Sequence, residues 1–318
     1  MPERAQLAPS GRMWALAATV ATGGFLFGYD TGVASGALLY LREGMPELDD
    51  SSLMQESFVS AAVGGAATGA ALAGTLGERF GRQRALLCAD ALFMAGALAM
   101  AGATGVYSLL AGRVLVGLGV GVASAVVPLY IAECAPTRSR GALVTANTLM
   151  ITSGQLVAYV SNIFFARAMR GDARWRWMLG IAALPAAAQS VGLLLLPESP
   201  RWLARRGRAR EAALALARLR DPDEAREELE AIEQELDDEE HVPRLGEERS
   251  LLDGGRSGRS RRRAWSELFA RAENRYALVV AAGLQAFQQL VGINTVMCVR
   301  ASASHDRCVH AHGHGRSP

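Results

Sequence analysis

The chain has 318 residues, of which half are apolar and one fifth charged, with a formal net charge of +2. That balance excludes a disordered polyelectrolyte and a strongly basic nucleic-acid binder, and the four cysteines, Cys88, Cys134, Cys298 and Cys308, show no paired framework. Charge is crowded into a few segments between long apolar runs, which is the pattern of a multi-pass membrane protein.

Residues 1–13 read as a short, mildly basic N-terminus. The run that follows is too long for the apolar region of a secretory signal. Stretches of about 20 apolar residues, enough to cross a bilayer, predict six spans within residues 14–197, at 14–41, 58–76, 85–105, 108–131, 143–166 and 177–196. Residues 198–272 form a separate helical loop and linker. Within it, 211–240 has the spacing of amphipathic helices, and 251–263 is a Gly, Ser and Arg linker. A seventh span is predicted within 273–298. The fold class is therefore all-α. Arg79, Arg82 and Arg84 follow span two, and Arg138 and Arg140 follow span four, whereas Glu43, Glu47, Asp49, Asp50 and Glu56 lie between spans one and two. This asymmetry places the N-terminus in the cytoplasm. Arg167, Arg170, Arg174 and Arg176, read as the loop after span five, argue the other way and are outvoted. The tail, 299–318, is polar and carries His305, Cys308, His310, His312 and His314. These are metal-ligand types, but no rigid pattern surrounds them and no metal site is expected.

Asp30 lies inside the first apolar run, FLFGYDTGVASGALLYL. A carboxylate there costs several kcal/mol unless it is paired, neutral or hydrated, which makes it a functional candidate. Arg113, in AGRVLVGLGVG at the start of span four, is the basic residue nearest the interior of that segment and the expected partner. A carboxylate held between a cation and desolvation can take a proton from one side and release it to the other; a static ion pair is the alternative. Asp90 in span three is expected to reach the interface. Gly65 and Gly69, and Gly117 and Gly121, have small-xxx-small spacing for close helix contact. Three loop motifs concentrate charge: GERFGRQR (Glu78, Arg79, Arg82), IAECAPTRSRG (Glu133 paired with Arg140) and LPESPRWLARRGR (Glu198, Arg201). No nucleophile with its base, no phosphate loop and no cofactor site is present, so an enzyme is not expected.

GYDTG, GERFGRQR, PESPRWL and GLQAFQQLVGINT, in this order, resemble the sugar porter family of the major facilitator superfamily, and GYDTGVASGALLYL, ALVTANTLMITSGQ and WRWMLGIAALPA are most similar to its proton-coupled myo-inositol transporters. The resemblance implies a six-helix N-terminal bundle and secondary transport driven by protons. It implies proton coupling by Asp30 and Arg113, and polyol contact by Phe27, Gln155, Asn162, Gln288, Gln289 and Asn294. It also implies a conformational latch of Glu78, Arg79, Arg82, Glu133, Arg140, Glu198 and Arg201. The partners are then a polyol or sugar, protons and the bilayer, with no nucleic acid, and the plasma membrane is preferred to the vacuolar one. The chain departs from the family at Glu78, where Asp is usual, and at Gln83, where a basic residue is usual. The resemblance ends near Val296, whereas the family has twelve spans, so a truncated form is expected. A hexose symporter and a non-transporting fragment are the alternatives.

Overall fold

In a computed structural model the described residues are 11–45, 48, 51–136, 139–219 and 222–241, with 276, 279, 280 and 283. All structure among them is helical, with no strand. The chain divides into two units, Met1–Asp237 and Asp238–Pro318, and the helices that carry the site lie in the first. The predicted seventh span and tail, with Gln288, Gln289 and Asn294, lie outside the described residues apart from four isolated positions.

Six predicted spans correspond to seven helices: α1 Gly11–Gly44, α2 Ser52–Phe80, α3 Arg82–Ala101, α4 Val106–Cys134, α5 Arg140–Ala168, α6 Ala173–Gly180 and α7 Ala183–Leu195. Three further helices follow, α8 Pro200–Arg205, α9 Ala209–Leu219 and α10 Pro222–His241. α2, α3, α4, α5 and the combined stretch Ala173–Leu195 are each long and apolar enough to cross a membrane. α1 is 34 residues long but is not among the helices that meet both the length and the apolarity of a span. The sixth span begins earlier than the sequence suggests and is broken at Ile181 and Ala182. Pro185 accounts for the break: it has no N–H to offer the Ile181 carbonyl, and its ring crowds that oxygen. Arg174 and Arg176 therefore belong to a helix rather than to a loop.

Caps fix the boundaries. Ser51 accepts from the Met54 N–H at 3.4 Å to start α2, and Ser199 accepts from the Trp202 N–H at 3.3 Å to start α8, with Pro200 in its first turn. α2 ends at Gly81, whose φ of 98° lies in the region glycine favours.

α4 is the centre of the bundle: 61% of its apolar window is buried, against 17% for α2 and α5. Val63, Leu98, Leu149, Leu156, Phe164 and Leu195 are exposed, so the outer surface is apolar, as a surface in contact with lipid tails must be. The interior has two apolar layers. One gathers Leu26, Tyr29, Val33, Phe58, Phe93, Leu109, Val116, Trp175 and Met178. The other gathers Leu16, Val20, Ala73, Leu86, Val122, Tyr130, Ile131, Leu143 and Leu193.

Glycine seams bring backbones together, one of them between α3 and α4, where Gly96, Gly112 and Gly119 meet the facing backbone. Along α1, a Cβ on Gly28 would overlap the Ile151 backbone, on Gly32 it would meet Ala158 and Gln155, and on Gly36 it would overlap Asn162, all on α5. Between α2 and α4, Gly65 and Gly69 face Val114 and Leu118, while Gly117 and Gly121 face Ala62 and Ala66. The two small-xxx-small pairs read from the sequence thus face each other.

Candidate functional site

An ion pair lies inside the bundle. Arg113 Nη1 of α4 donates to Asp30 Oδ1 of α1 at 2.6 Å, with the arginine side chain 1% and the aspartate 14% exposed. The pair sits in the first apolar layer, between Tyr29 and Val33 on α1 and Leu109 and Val116 on α4. Tyr29 itself donates to the Met178 carbonyl of α6 at 3.0 Å. The partner inferred from the sequence is the one observed.

The α1–α5 seam carries the amides. Asn162 is buried and donates from Nδ2 to the Gly32 carbonyl at 3.2 Å, two residues beyond Asp30, while its Oδ1 has no partner. Gln155 is half-buried at the same seam. Phe27, about one turn before Asp30 on α1, is 40% exposed, and its carbonyl accepts from the Thr31 hydroxyl at 2.9 Å. Phe27 and Gln155 therefore retain accessible surface, whereas Asn162 is tied to the α1 backbone.

The end of the bundle that bears Gly81, Cys134 and Pro197 holds the second charged cluster. The sequence pairs Glu133 of α4 with Arg140, and the structure corrects this. Glu133 is engaged by Arg82 of α3, at 2.7 Å to Nη2 and 3.2 Å to Nε, and by the Ser199 hydroxyl at 2.5 Å. Arg140 Nε is buried without a partner. Arg82 wins because α3 starts against the end of α4 and points its guanidinium inward, where it also donates to the Gly77 carbonyl at 2.9 Å. Glu198 caps α3, accepting from the Arg82 and Gln83 N–H groups at 2.8 and 3.1 Å, so a carboxylate meets the positive end of a helix. Gly81 is required for this approach as well as for its φ, since a Cβ there would overlap the Glu198 carboxylate. The Tyr130 hydroxyl donates to the Pro197 carbonyl.

Glu78 and Arg79 take part through their backbones. The Glu78 carbonyl accepts from Trp202 Nε1 at 2.9 Å and from Arg206 Nη2 at 2.8 Å, and the Arg79 carbonyl from Arg206 at 3.1 Å, while both side chains are exposed. Arg201 is half-buried in α8. Gln83, the departure from the basic residue, donates to the Leu193 and Leu196 carbonyls at 2.7 and 3.0 Å and so closes the end of α7.

At the opposite end, Arg176 donates to the Ala101 and Ala103 carbonyls at 2.9 and 2.8 Å, and Arg174 approaches Glu43 at 3.4 Å. Two of the four arginines that argue against the orientation expected from the sequence are bound to helix ends and a carboxylate. Asp90 does not reach the surface: it is 2% exposed and accepts from the Ser190 hydroxyl at 3.1 Å. Sequence reasoning misses Gln189, 2% exposed with neither amide atom partnered, and Asn147, whose Oδ1 is buried and unpartnered. Gln189 and Ser190 are the polar residues of ALPAAAQSVGLLL, and that interruption is the available signal.

Residues 16–301 match the family described as sugar (and other) transporter. The chain belongs to this family. It is 44% identical over 290 residues to the human proton myo-inositol cotransporter, covering 91% of this chain and 42% of that protein. It is 43% identical over 282 residues to inositol transporter 4 of Arabidopsis thaliana, with 89% and 46% covered. The D-xylose transporter of Levilactobacillus brevis is 39% identical over 277 residues, with 87% and 55% covered. The chain thus spans about half the length of the curated relatives it matches. Among solved structures, the partially occluded inward-open xylose transporter XylE of E. coli superposes with a TM-score of 0.72 at 30% identity, covering 90% of this chain and 65% of that one. The fold is therefore an all-α, polytopic major facilitator arrangement, and the family is one of membrane transporters rather than enzymes.

Proposed function

We propose that this chain supplies the N-terminal half of a proton-driven myo-inositol symporter of the plasma membrane, with its N-terminus in the cytoplasm. The observation that carries the reading is the buried Asp30–Arg113 pair. With Asp30 ionised, the pair is neutral and ties α1 to α4. A proton on Asp30 removes the counter-ion of Arg113, which weakens that tie and frees the bundle to rock around a bound polyol. Phe27 and Gln155 meet the hydroxyls, the part that the sequence also leads one to expect of Gln288, Gln289 and Asn294. Neutral amides suit such a ligand because each can both donate and accept. Asn162 holds the seam and offers its free Oδ1. Arg82, Glu133, Glu198 and the carbonyls of Glu78 and Arg79 form the latch that holds one conformation closed. The names of the inositol-transporting relatives support the substrate, and the name of the human relative supports the coupling.

The test is labelled myo-inositol uptake into cells lacking their own carrier, with and without a proton gradient. The chain alone is compared with the chain completed by the remaining helices of an inositol-transporting relative, and with the completed chain carrying Asp30→Asn. Only the completed chain should accumulate inositol, and Asp30→Asn should abolish the dependence on the gradient. Uptake of hexose or xylose without inositol would overturn the substrate. Gradient-driven accumulation that survives Asp30→Asn would overturn the coupling role, and uptake by the chain alone would overturn the half-transporter reading.

A further inference from the structure

The guanidinium of Arg113 is poorly served by its carboxylate. Nη1 reaches Asp30 at 2.6 Å, but Nε and Nη2 are buried without hydrogen-bond partners. Its flat face is covered from a third helix. The Phe58 ring of α2 lies with its centroid 4.3 Å from Arg113 Cζ and is 0% exposed. Phe58 shares α2 with the glycine seam that packs this helix on α4, and Gly65 of that seam lies two turns along from it.

We propose that Phe58 is a positioning residue that holds the Arg113 guanidinium in place when Asp30 is neutral. The inference rests on the proton-coupling reading of the same pair. Once Asp30 carries a proton, an intact cation remains in a medium of low dielectric with no compensating charge. The negative face of the ring is then the electrostatic partner that stays, and its attraction does not depend on the state of the carboxyl. A leucine of similar bulk would fill the space but offer no such field. Phe58 thereby keeps Arg113 from leaving its site during the neutral half of the cycle and lets the pair re-form when the proton departs.

The experiment uses thermal unfolding of the full chain in lipid nanodiscs, with Asp30→Asn standing in for the neutral carboxyl. Four forms are compared: native, Asp30→Asn, Phe58→Leu and the double variant. Phe58→Leu should lower the unfolding midpoint more in the Asp30→Asn background than in the native one, by an extra loss of roughly 3 °C. Stepwise fluorination of the ring at position 58 keeps its shape while weakening its negative face, and serves if the leucine variant does not fold. In the Asp30→Asn background the midpoint should fall with each fluorine, and Arg113→Met should abolish that gradation. Equal losses in both backgrounds, or a fluorination series without effect, would overturn the proposal. No transport is read, so this result and the uptake result stand or fall separately.

Discussion

Replacing Glu133 by glutamine tests the charged cluster at the Gly81 end. The substitution keeps the shape of the side chain and removes its charge. Arg82, whose side chain is 5% exposed, then loses a carboxylate that it meets at 2.7 and 3.2 Å, and Ser199 loses an anionic acceptor at 2.5 Å. Removing one partner of a buried pair costs about 3–5 kcal/mol, because the other charge stays buried. The amide oxygen still accepts one of these bonds, so a loss at the lower end, about 3 kcal/mol, is expected. At about 2–4 °C per kcal/mol for a body of this size, the unfolding midpoint should fall by roughly 6–12 °C. Glu43→Gln is the control. Its pair with Arg174 is 3.4 Å long and its own side chain 62% exposed, so the loss should be below about 1 kcal/mol. The assay is thermal unfolding of the purified chain in nanodiscs, followed by circular dichroism. If the two variants unfold at the same temperature, the reasoning from burial is refuted.

Two further predictions concern helix contacts. Gly28→Ala should sharply lower the yield of folded chain, since the new Cβ would overlap the Ile151 backbone, whereas Gly64→Ala meets nothing within 4 Å and should be neutral or stabilising by up to about 1 kcal/mol; size-exclusion profiles with midpoints distinguish them. Gln83→Ala should cost about 1–3 kcal/mol by stranding the Leu196 carbonyl, the Leu193 carbonyl keeping the Leu196 N–H at 3.1 Å, and Gln83→Lys should recover part of it, because a cation also suits a helix C-terminus. An alanine variant as stable as the native chain would show that the Leu196 carbonyl needs no donor.

What is legible in the sequence is what interrupts a pattern. Asp30 and Arg113 stand out as charges within apolar runs, so each has few possible partners and the pairing can be read directly. At the loops charge is plentiful and the logic fails. Arg140 is near Glu133 in sequence, but Arg82, 51 residues away, is the neighbour that helix packing supplies. Phe58 carries no signal at all, because a phenylalanine in an apolar span looks like any other core residue. The break in the sixth span is announced by Pro185, yet Pro128 leaves α4 continuous, so a proline alone does not say which outcome follows.

The glycine seams give the ion pair mechanical reach. Backbones in direct contact have no side chains between them to repack, so α4 is coupled stiffly to α2 and α3, and α1 to α5. Arg113 is seven residues from Val106, where α4 starts, and twenty-one from Cys134, where it ends. At 1.5 Å per residue these are arms of about 10 and 31 Å. A tilt that pivots at the pair therefore moves the Glu133 end about three times as far as the other, and α4 works as a lever of unequal arms.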